Sequence, residues 1–258
     1  MVSQKILSKL RKCVEDYDML REGDTVAVGL SGGKDSMTTL AALRKLSEFY
    51  PEKFTVKAIS IGLTRDMSAY DAMEDFCRTL GVEYIRVPTD IREIVFDRRN
   101  EKNPCSLCAN MRRGALNRAA RAAGCNKVAL GHHADDAAET FLLSLLFEGR
   151  ISCFEPATYL SRSGVTVIRP MLYATESEMR AEAKRLPAPV VKSPCPADGS
   201  TQRQAAKELL RSLGSRYGSV REKICGAIMR LPLAGWEKRP RSERIRNRER
   251  EEKGEKDE

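Results

Sequence analysis

Long apolar runs are missing from this 258-residue chain; none approaches the ~20 residues that a membrane-spanning helix needs. The first twenty residues, MVSQKILSKLRKCVEDYDML, are amphipathic and mixed in charge. They lack the apolar centre and the small-residue cleavage site of a secretory signal. A cytoplasmic protein with no membrane partner is expected. In a reducing compartment the eight cysteines are expected to serve as thiols, metal ligands or catalytic groups rather than structural disulfides. Aromatic residues are scarce, at 6%, so stacking platforms for single-stranded nucleic acid are not evident. No internal repeat is visible. The Walker pattern G-x-x-x-x-G-K-[ST] is also absent, which removes the usual γ-phosphate loop.

What is present is charge. Charged residues make up 31% of the chain and the formal net charge is +9. Residues 237–258 (EKRPRSERIRNREREEKGEKDE) hold nine basic and eight acidic side chains and one large apolar residue, Ile245. Such a stretch cannot bury enough surface to offset its ordering entropy, and a disordered tail is expected there. Since the tail is nearly neutral, the remainder is basic, which points to a polyanionic partner without naming one.

The apolar pattern alternates. Residues 3–20 have helical spacing, and 25–30 (TVAVGL) form a short apolar run suited to a buried parallel strand. A helix follows from Lys34 towards Pro51, then strand 54–61, helix 67–80, strand 83–87, a mostly irregular stretch over 88–104, helix 108–123, strand 127–130 and helix 134–148. Beyond Gly149 a strand near 165–169 and helices near 175–186, 201–213 and 218–230 are expected, with a proline-rich loop over 187–196. This rhythm predicts an α/β fold: an open, mostly parallel sheet with helices on both faces and a small C-terminal helical part. The expected divisions are an N-terminal helix in 1–22, a catalytic domain over 23–232 and the tail.

Three constellations carry chemistry. The first is V-A-V-G-L-S-G-G-K-D-S, at a strand-to-helix junction. Gly32 and Gly33 let the backbone turn and approach a ligand, and the amides of the next helical turn make an anion site. Lys34 adds positive charge, Asp35 is a candidate for Mg²⁺, and Ser31 and Ser36 are candidate donors to phosphate. The second is G-H-H-A-D-D, which follows strand 127–130 and holds the only two histidines. Gly131, His132 and His133 sit at the carboxyl end of a parallel strand, the functional edge of such sheets. Asp135 and Asp136 are readable as caps of the next helix or as contacts to a second Mg²⁺ or the nucleotide. The third is Cys105-Ser106-Leu107-Cys108, with Cys195 in K-S-P-C-P. Spacing alone leaves zinc, an iron–sulfur cluster and unligated thiols open. A closed zinc site would need a fourth ligand, for which Cys77, Cys125, Cys153 and Cys225 are the candidates.

Residues 98–121 add Arg98, Arg99, Lys102, Arg112, Arg113, Arg118 and Arg121 against Glu101. They read either as a solvated helix face or as contacts to phosphates, with Arg112 or Arg113 beside the cysteines and the others on a nucleic-acid backbone.

S-G-G-K-D-S resembles the signature of the PP-loop ATP pyrophosphatases. With C-S-L-C followed by M-R-R-G-A-L, A-L-G-H-H-A-D-D, V-I-R-P-M-L-Y, Pro-Cys-Pro and Q-R-Q at 202–204, the chain is similar over roughly 5–215 to the tRNA 2-thiocytidine synthetase family. The resemblance implies a PP-loop fold and a [4Fe-4S] cluster on Cys105, Cys108 and Cys195. It implies ATP- and Mg²⁺-dependent adenylation of a tRNA cytidine at position 32, with Lys34 and the arginines offsetting developing charge. Sulfur from a cysteine desulfurase or another sulfide donor then displaces AMP. Family members are often homodimers. Two features depart from the family pattern: Cys195-Pro196-Ala197-Asp198 lacks a second cysteine, and I-G-L-T-R-D lacks the acid–glutamine pair. The rival expectations are a lysidine-type synthetase, a zinc-stapled nucleotide- and RNA-binding module, and a redox-sensing cluster protein.

Overall fold

The computed structural model describes residues 2–98, 104–189, 202–230 and 235–238. Within these residues six strands form one sheet: β1 (Thr25–Gly29), β2 (Thr55–Ile61), β3 (Glu83–Val87), β4 (Lys127–Ala129), β5 (Ala157–Leu160) and β6 (Val165–Ile168). Their order is β3-β2-β1-β4-β6-β5, and every pair is parallel except the antiparallel β5–β6 hairpin. Among the described residues eight α-helices surround the sheet: α1 (Gln4–Asp16), α2 (Lys34–Leu46), α3 (Asp71–Leu80), α4 (Pro104–Ala122), α5 (Ala134–Phe147), α6 (Glu176–Ala183), α7 (Gln202–Tyr217) and α8 (Val220–Arg230).

Strand pleating sends alternate side chains into two cores. Val26 and Val28 of β1 face one core, shared with α1, α2 and α3, while Ala27 faces the other, beneath α4. The same split places Ala129 on the first side and Val128 on the second. α1 is stitched to this body: its buried stripe of Ile6, Leu10, Cys13 and Val14 joins the first core. Ser3 also donates its amide and hydroxyl to the Glu182 carboxylate at 2.9 and 2.5 Å.

Three expectations need correcting. β5 is a strand the sequence pattern does not announce. The supposedly irregular stretch 88–104 contains a π-helical segment, Glu93–Arg98. α4 starts at Pro104 rather than Cys108, because proline suits the first helical position, where no amide partner is needed. Both cysteines of the C-x-x-C therefore lie in the first turn and a half of a helix. The proline-rich loop from 190 onward, with Cys195, and the tail from 239 lie outside the described residues.

Neighbouring β1 and β4 leave the sheet centre in opposite directions: β1 leads on to β2, and β4 leads through α5 to the β5–β6 hairpin. Their carboxyl ends flank the crevice where ligands bind in open α/β sheets.

Candidate active site

The loop after β1 is held in shape by one hydroxyl. Ser36 Oγ accepts from the Ser31 amide at 3.1 Å and donates to Gly33 O at 2.9 Å. Ser36 is buried, so this hydroxyl braces the loop, whereas Ser31 is exposed, with its Oγ 3.1 Å from Ser36 Oγ. Gly32 has φ +80°, a conformation that costs a residue with Cβ about 1–2 kcal/mol. Gly33 opens α2 with no side-chain cap, so the helix presents its first amides and its positive dipole end to the crevice.

Lys34 Nζ donates to Asp35 Oδ2 at 2.8 Å and lies 3.8 Å from Glu176 Oε1. Glu176 also accepts from Lys207 at 2.7 Å and Arg180 at 3.1 Å. Burial opposes its ionisation, but the Lys207 hydrogen bond and the Lys207 and Lys34 charges prevail and hold its pKa down at about 2. Asp35 Oδ1 is buried without a hydrogen-bond partner, 3.9 Å from His133 Nε2. An orphaned carboxylate oxygen beside an anion loop fits a hard cation such as Mg²⁺, whose remaining ligands come from phosphates and water.

The opposite wall is G-H-H-A-D-D. A Cβ at Gly131 would lie 2.9 Å from the carbonyl carbon and oxygen of Asp35 and 3.0 Å from the Ser36 amide. Only glycine allows the β4–α5 loop this close to the start of α2. His133 caps α5: its Nδ1 accepts from the Asp136 amide at 3.4 Å, and Asp136 Oδ2 accepts from the His133 amide at 2.9 Å. Asp135 Oδ2 accepts from the Glu176 amide at 2.6 Å, which ties α6 to the site. Both aspartates thus serve as backbone caps. Among the described residues no three histidine, cysteine, aspartate or glutamate side chains are grouped as a metal site.

His132 does not share this capping role. Its Nδ1 accepts from Arg169 Nε at 3.2 Å, and its ring stacks on Phe154 with centroids 4.9 Å apart. Burial first, then Arg169, Arg203, His133 and Arg113, push its pKa down to about 3. Arg169, itself pulled down to about 10 mainly by burial, also lies 4.8 Å over the Phe154 ring. Arg203 of α7 lies 3.7 Å from Asp136 and 3.5 Å from buried Glu139. The roles of Arg169, Phe154 and Glu139 were not foreseen. An arginine ending a buried parallel strand was a usable cue for the first; Phe154, in a loop, offered none.

Cys105 is half-buried and Cys108 buried. Cys108 shares the second core with Ile61 and Leu63, at the carboxyl end of β2, so the cysteine helix begins at the same sheet edge as the phosphate loop. Soft sulfur donors at this spacing fit an iron–sulfur cluster. Cys195, the third expected ligand, lies outside the described residues. The four alternative ligands are core thiols. Burial raises Cys125 and pushes Cys77, Cys153 and Cys225 up to about 12. Cys153 and Cys225 donate to the carbonyls of Ala137 and Ala134.

The basic stretch divides. Arg121 braces the β5–β6 turn through Ser163 O and Gly164 O, at 3.4 and 3.3 Å, and Arg98 pairs with Glu93. Arg113 is exposed, bonds to Asn110, and its charge reaches His132 and Arg169. Arg112 is half-buried and its charge reaches Tyr70. Arg118 is exposed; Arg99 and Lys102 lie outside the described residues.

Residues 2–211 match the PP-loop domain family. The tRNA-cytidine(32) 2-sulfurtransferase of Dechloromonas aromatica is 35% identical over 243 residues, covering 90% of this chain and 84% of that protein. That of Pelobacter propionicus is 38% identical over 220 residues, covering 84% and 82%. Among solved structures, the U34-tRNA thiolase NcsA from Methanococcus maripaludis with its [4Fe-4S] cluster superposes with a TM-score of 0.70 and 27% identity, over 87% of this chain and 77% of that one. The NH3-dependent NAD synthetase of Campylobacter jejuni, 18% identical with a TM-score of 0.50 over 92% of this chain and 96% of that one, shares the fold.

Proposed function

The chain belongs to the PP-loop domain family, alongside relatives that are tRNA-cytidine(32) 2-sulfurtransferases, and from that premise we propose that it is an ATP-dependent tRNA thiolase acting on a cytidine, at position 32. The observation that carries this reading is the meeting, at one sheet edge, of an anion loop with its lysine and a helix opened by Cys105 and Cys108.

In this reading the loop from Ser31 to Ser36 binds the phosphates of ATP, with Mg²⁺ at Asp35. The cytidine 2-oxygen attacks the α-phosphorus, the α–β bond breaks, and pyrophosphate leaves. Lys34, Arg112 and Arg113 offset the charge that develops. Asp135 and Asp136 act through the backbone groups they hold, keeping Gly131, His132 and His133 against the loop. A [4Fe-4S] cluster on Cys105, Cys108 and Cys195 would supply an iron position open to sulfide. Sulfide then adds to C2, and AMP departs with the former oxygen. The reading extends to a cytoplasmic enzyme, working as a homodimer and supplied with sulfide by a cysteine desulfurase. No helix among the described residues is long and apolar enough to cross a membrane, and this supports the cytoplasmic assignment. It also extends to the division at 23–232, with the charged tail outside the catalytic domain.

The test is elemental analysis after anaerobic purification, for the wild type and Cys195→Ala, followed by tRNA thionucleoside analysis. About four irons and four sulfides per chain, lost in the variant, with ATP-dependent 2-thiocytidine, support the reading. One zinc and no iron overturn it.

A further inference from the structure

Both histidines follow Gly131, the residue pressed against the start of α2, but only His132 faces an arginine through a ring nitrogen. Arginine has no acceptor atom, so the imidazole nitrogen 3.2 Å from Arg169 Nε must be the unprotonated one. A neutral ring then carries its single proton on Nε2, and no hydrogen bond from Nε2 to another of the described residues is seen. We infer that His132 is a preset neutral hydrogen-bond donor, presenting Nε2–H to a phosphate oxygen of the bound nucleotide, and that Arg169 is the positioning residue that fixes this tautomer. The inference rests on the nucleotide-binding part of the proposed function and not on sulfur transfer.

Arg169 is held from several sides. Its backbone amide donates to Pro156 O at 2.9 Å, its Nη1 donates to Glu155 O, and its guanidinium lies on the Phe154 ring. Phe154 is fixed in turn: Trp236 Nε1 donates to its carbonyl at 3.1 Å, and its ring covers one face of His132. The imidazole therefore has its rotation, its tautomer and its charge all set before a ligand arrives. A second proton would turn Nδ1 into a donor facing a donor. It would also add a cation where the charges of Arg169, Arg203, His133 and Arg113 already act. The same surroundings hold the pKa at about 3, so protonation does not compete at neutral pH. The donor stands next to Gly131, the residue pressed against the start of α2. A fixed, uncharged donor suits an oxygen that gains charge as pyrophosphate leaves, because it needs no reorganisation and cannot trap the product as an ion pair.

Two histidines in the whole chain make the test direct. Long-range 1H–15N spectra of histidine-labelled protein contain two imidazoles, and His132→Asn identifies one by its loss. The expected result is a His132 signal with the Nε2–H pattern that does not titrate between pH 8 and 5. Its Nε2–H resonance should move when a non-hydrolysable ATP analogue is added. Arg169→Lys keeps the charge but loses the planar Nε donor, and should give a mixture of the Nδ1–H and Nε2–H tautomers in place of one. In AMP release, His132→Ala should lower kcat about 100-fold with KM for ATP changed less than about threefold; His132→Gln, which keeps an amide donor near Nε2, should recover at least a tenth of the wild-type rate. A proton on Nδ1, titration near 6.5 in the wild type, or an Nε2–H resonance indifferent to the analogue overturns the inference. Failure to thiolate any tRNA, with these spectra as expected, overturns the proposed function alone.

Discussion

Gly131→Ala is the sharpest perturbation the structure offers. The added methyl would sit 2.9 Å from Asp35 C and O and 3.0 Å from Ser36 N. These neighbours are backbone atoms and cannot swing aside. Ordinary contact begins near 3.4 Å, so the β4–α5 loop and the start of α2 must separate by about 0.5 Å. Overpacking of this kind costs about 1–3 kcal/mol. For a domain of this size each kcal/mol lowers Tm by about 2–4 °C, so a fall of about 2–12 °C is expected in differential scanning fluorimetry. Function should suffer more than stability, because the separation falls between the two walls of the nucleotide crevice. If a 1 Å misplacement costs about 10²-fold in rate, half of that costs about tenfold in AMP release. Gly33→Ala is the control: its methyl would meet only Ser31 Oγ, at 3.4 Å, so Tm should hold while nucleotide affinity falls. A Gly131→Ala protein with wild-type Tm and wild-type AMP release refutes the close-approach argument.

Other outcomes follow from the same geometry. Cys108→Ser should lose its iron, whereas Cys153→Ser, whose thiol lies in the core against Ala137 O, should keep it; iron analysis of both separates cluster ligand from packing thiol. Glu176, held at about 2 in the folded state, contributes stability above the ordinary carboxylate range that is lost as pH falls from about 4.5 to 2. Urea unfolding at pH 5 and pH 3 should show a loss of about 1–2 kcal/mol, which Glu176→Gln largely removes. Arg203→Ala strands buried Glu139, whose pKa burial and Asp136 already raise. A loss of about 1–3 kcal/mol is expected; it should grow as pH rises and Glu139 ionises, and an unchanged or shrinking deficit would contradict the pairing.

The strands that build the site were legible because they are buried on both faces. TVAVG and the run before Gly131 read as unbroken apolar segments, and glycine and histidine mark where they stop. β5 was invisible for the opposite reason: it is an edge strand, half-exposed along its length, with exposed Tyr159 in its middle, so it has neither an apolar run nor a clean alternation. Asp135 and Asp136 had two readings; Asp136 makes the backbone bond of a cap on α5, while Asp135 bonds to the first amide of α6, a contact that neither reading gave. Arg169 was legible as a motif letter but not as a partner of His132, because the contact joins residues 37 apart in sequence through a turn whose course only the fold supplies. The separate duties within the basic stretch were not legible: Arg121 is spent on a hairpin and Arg98 on Glu93, which composition cannot reveal.

The pairing of β1 with β4 brings Val26 against Lys127 and Val28 against Ala129, across about a hundred residues of intervening chain. During synthesis the phosphate loop is therefore complete long before its opposite wall exists. A nascent chain ending near Asn100 would hold S-G-G-K-D-S without His132, His133 or the Gly131 contact. Long-range parallel pairing is also slow to form, so nucleotide can discriminate between the finished fold and its precursors. If it binds the docked form more tightly, ATP would add stability as its concentration exceeds its dissociation constant. The substrate would thus act as a checkpoint on the assembly of the enzyme that consumes it.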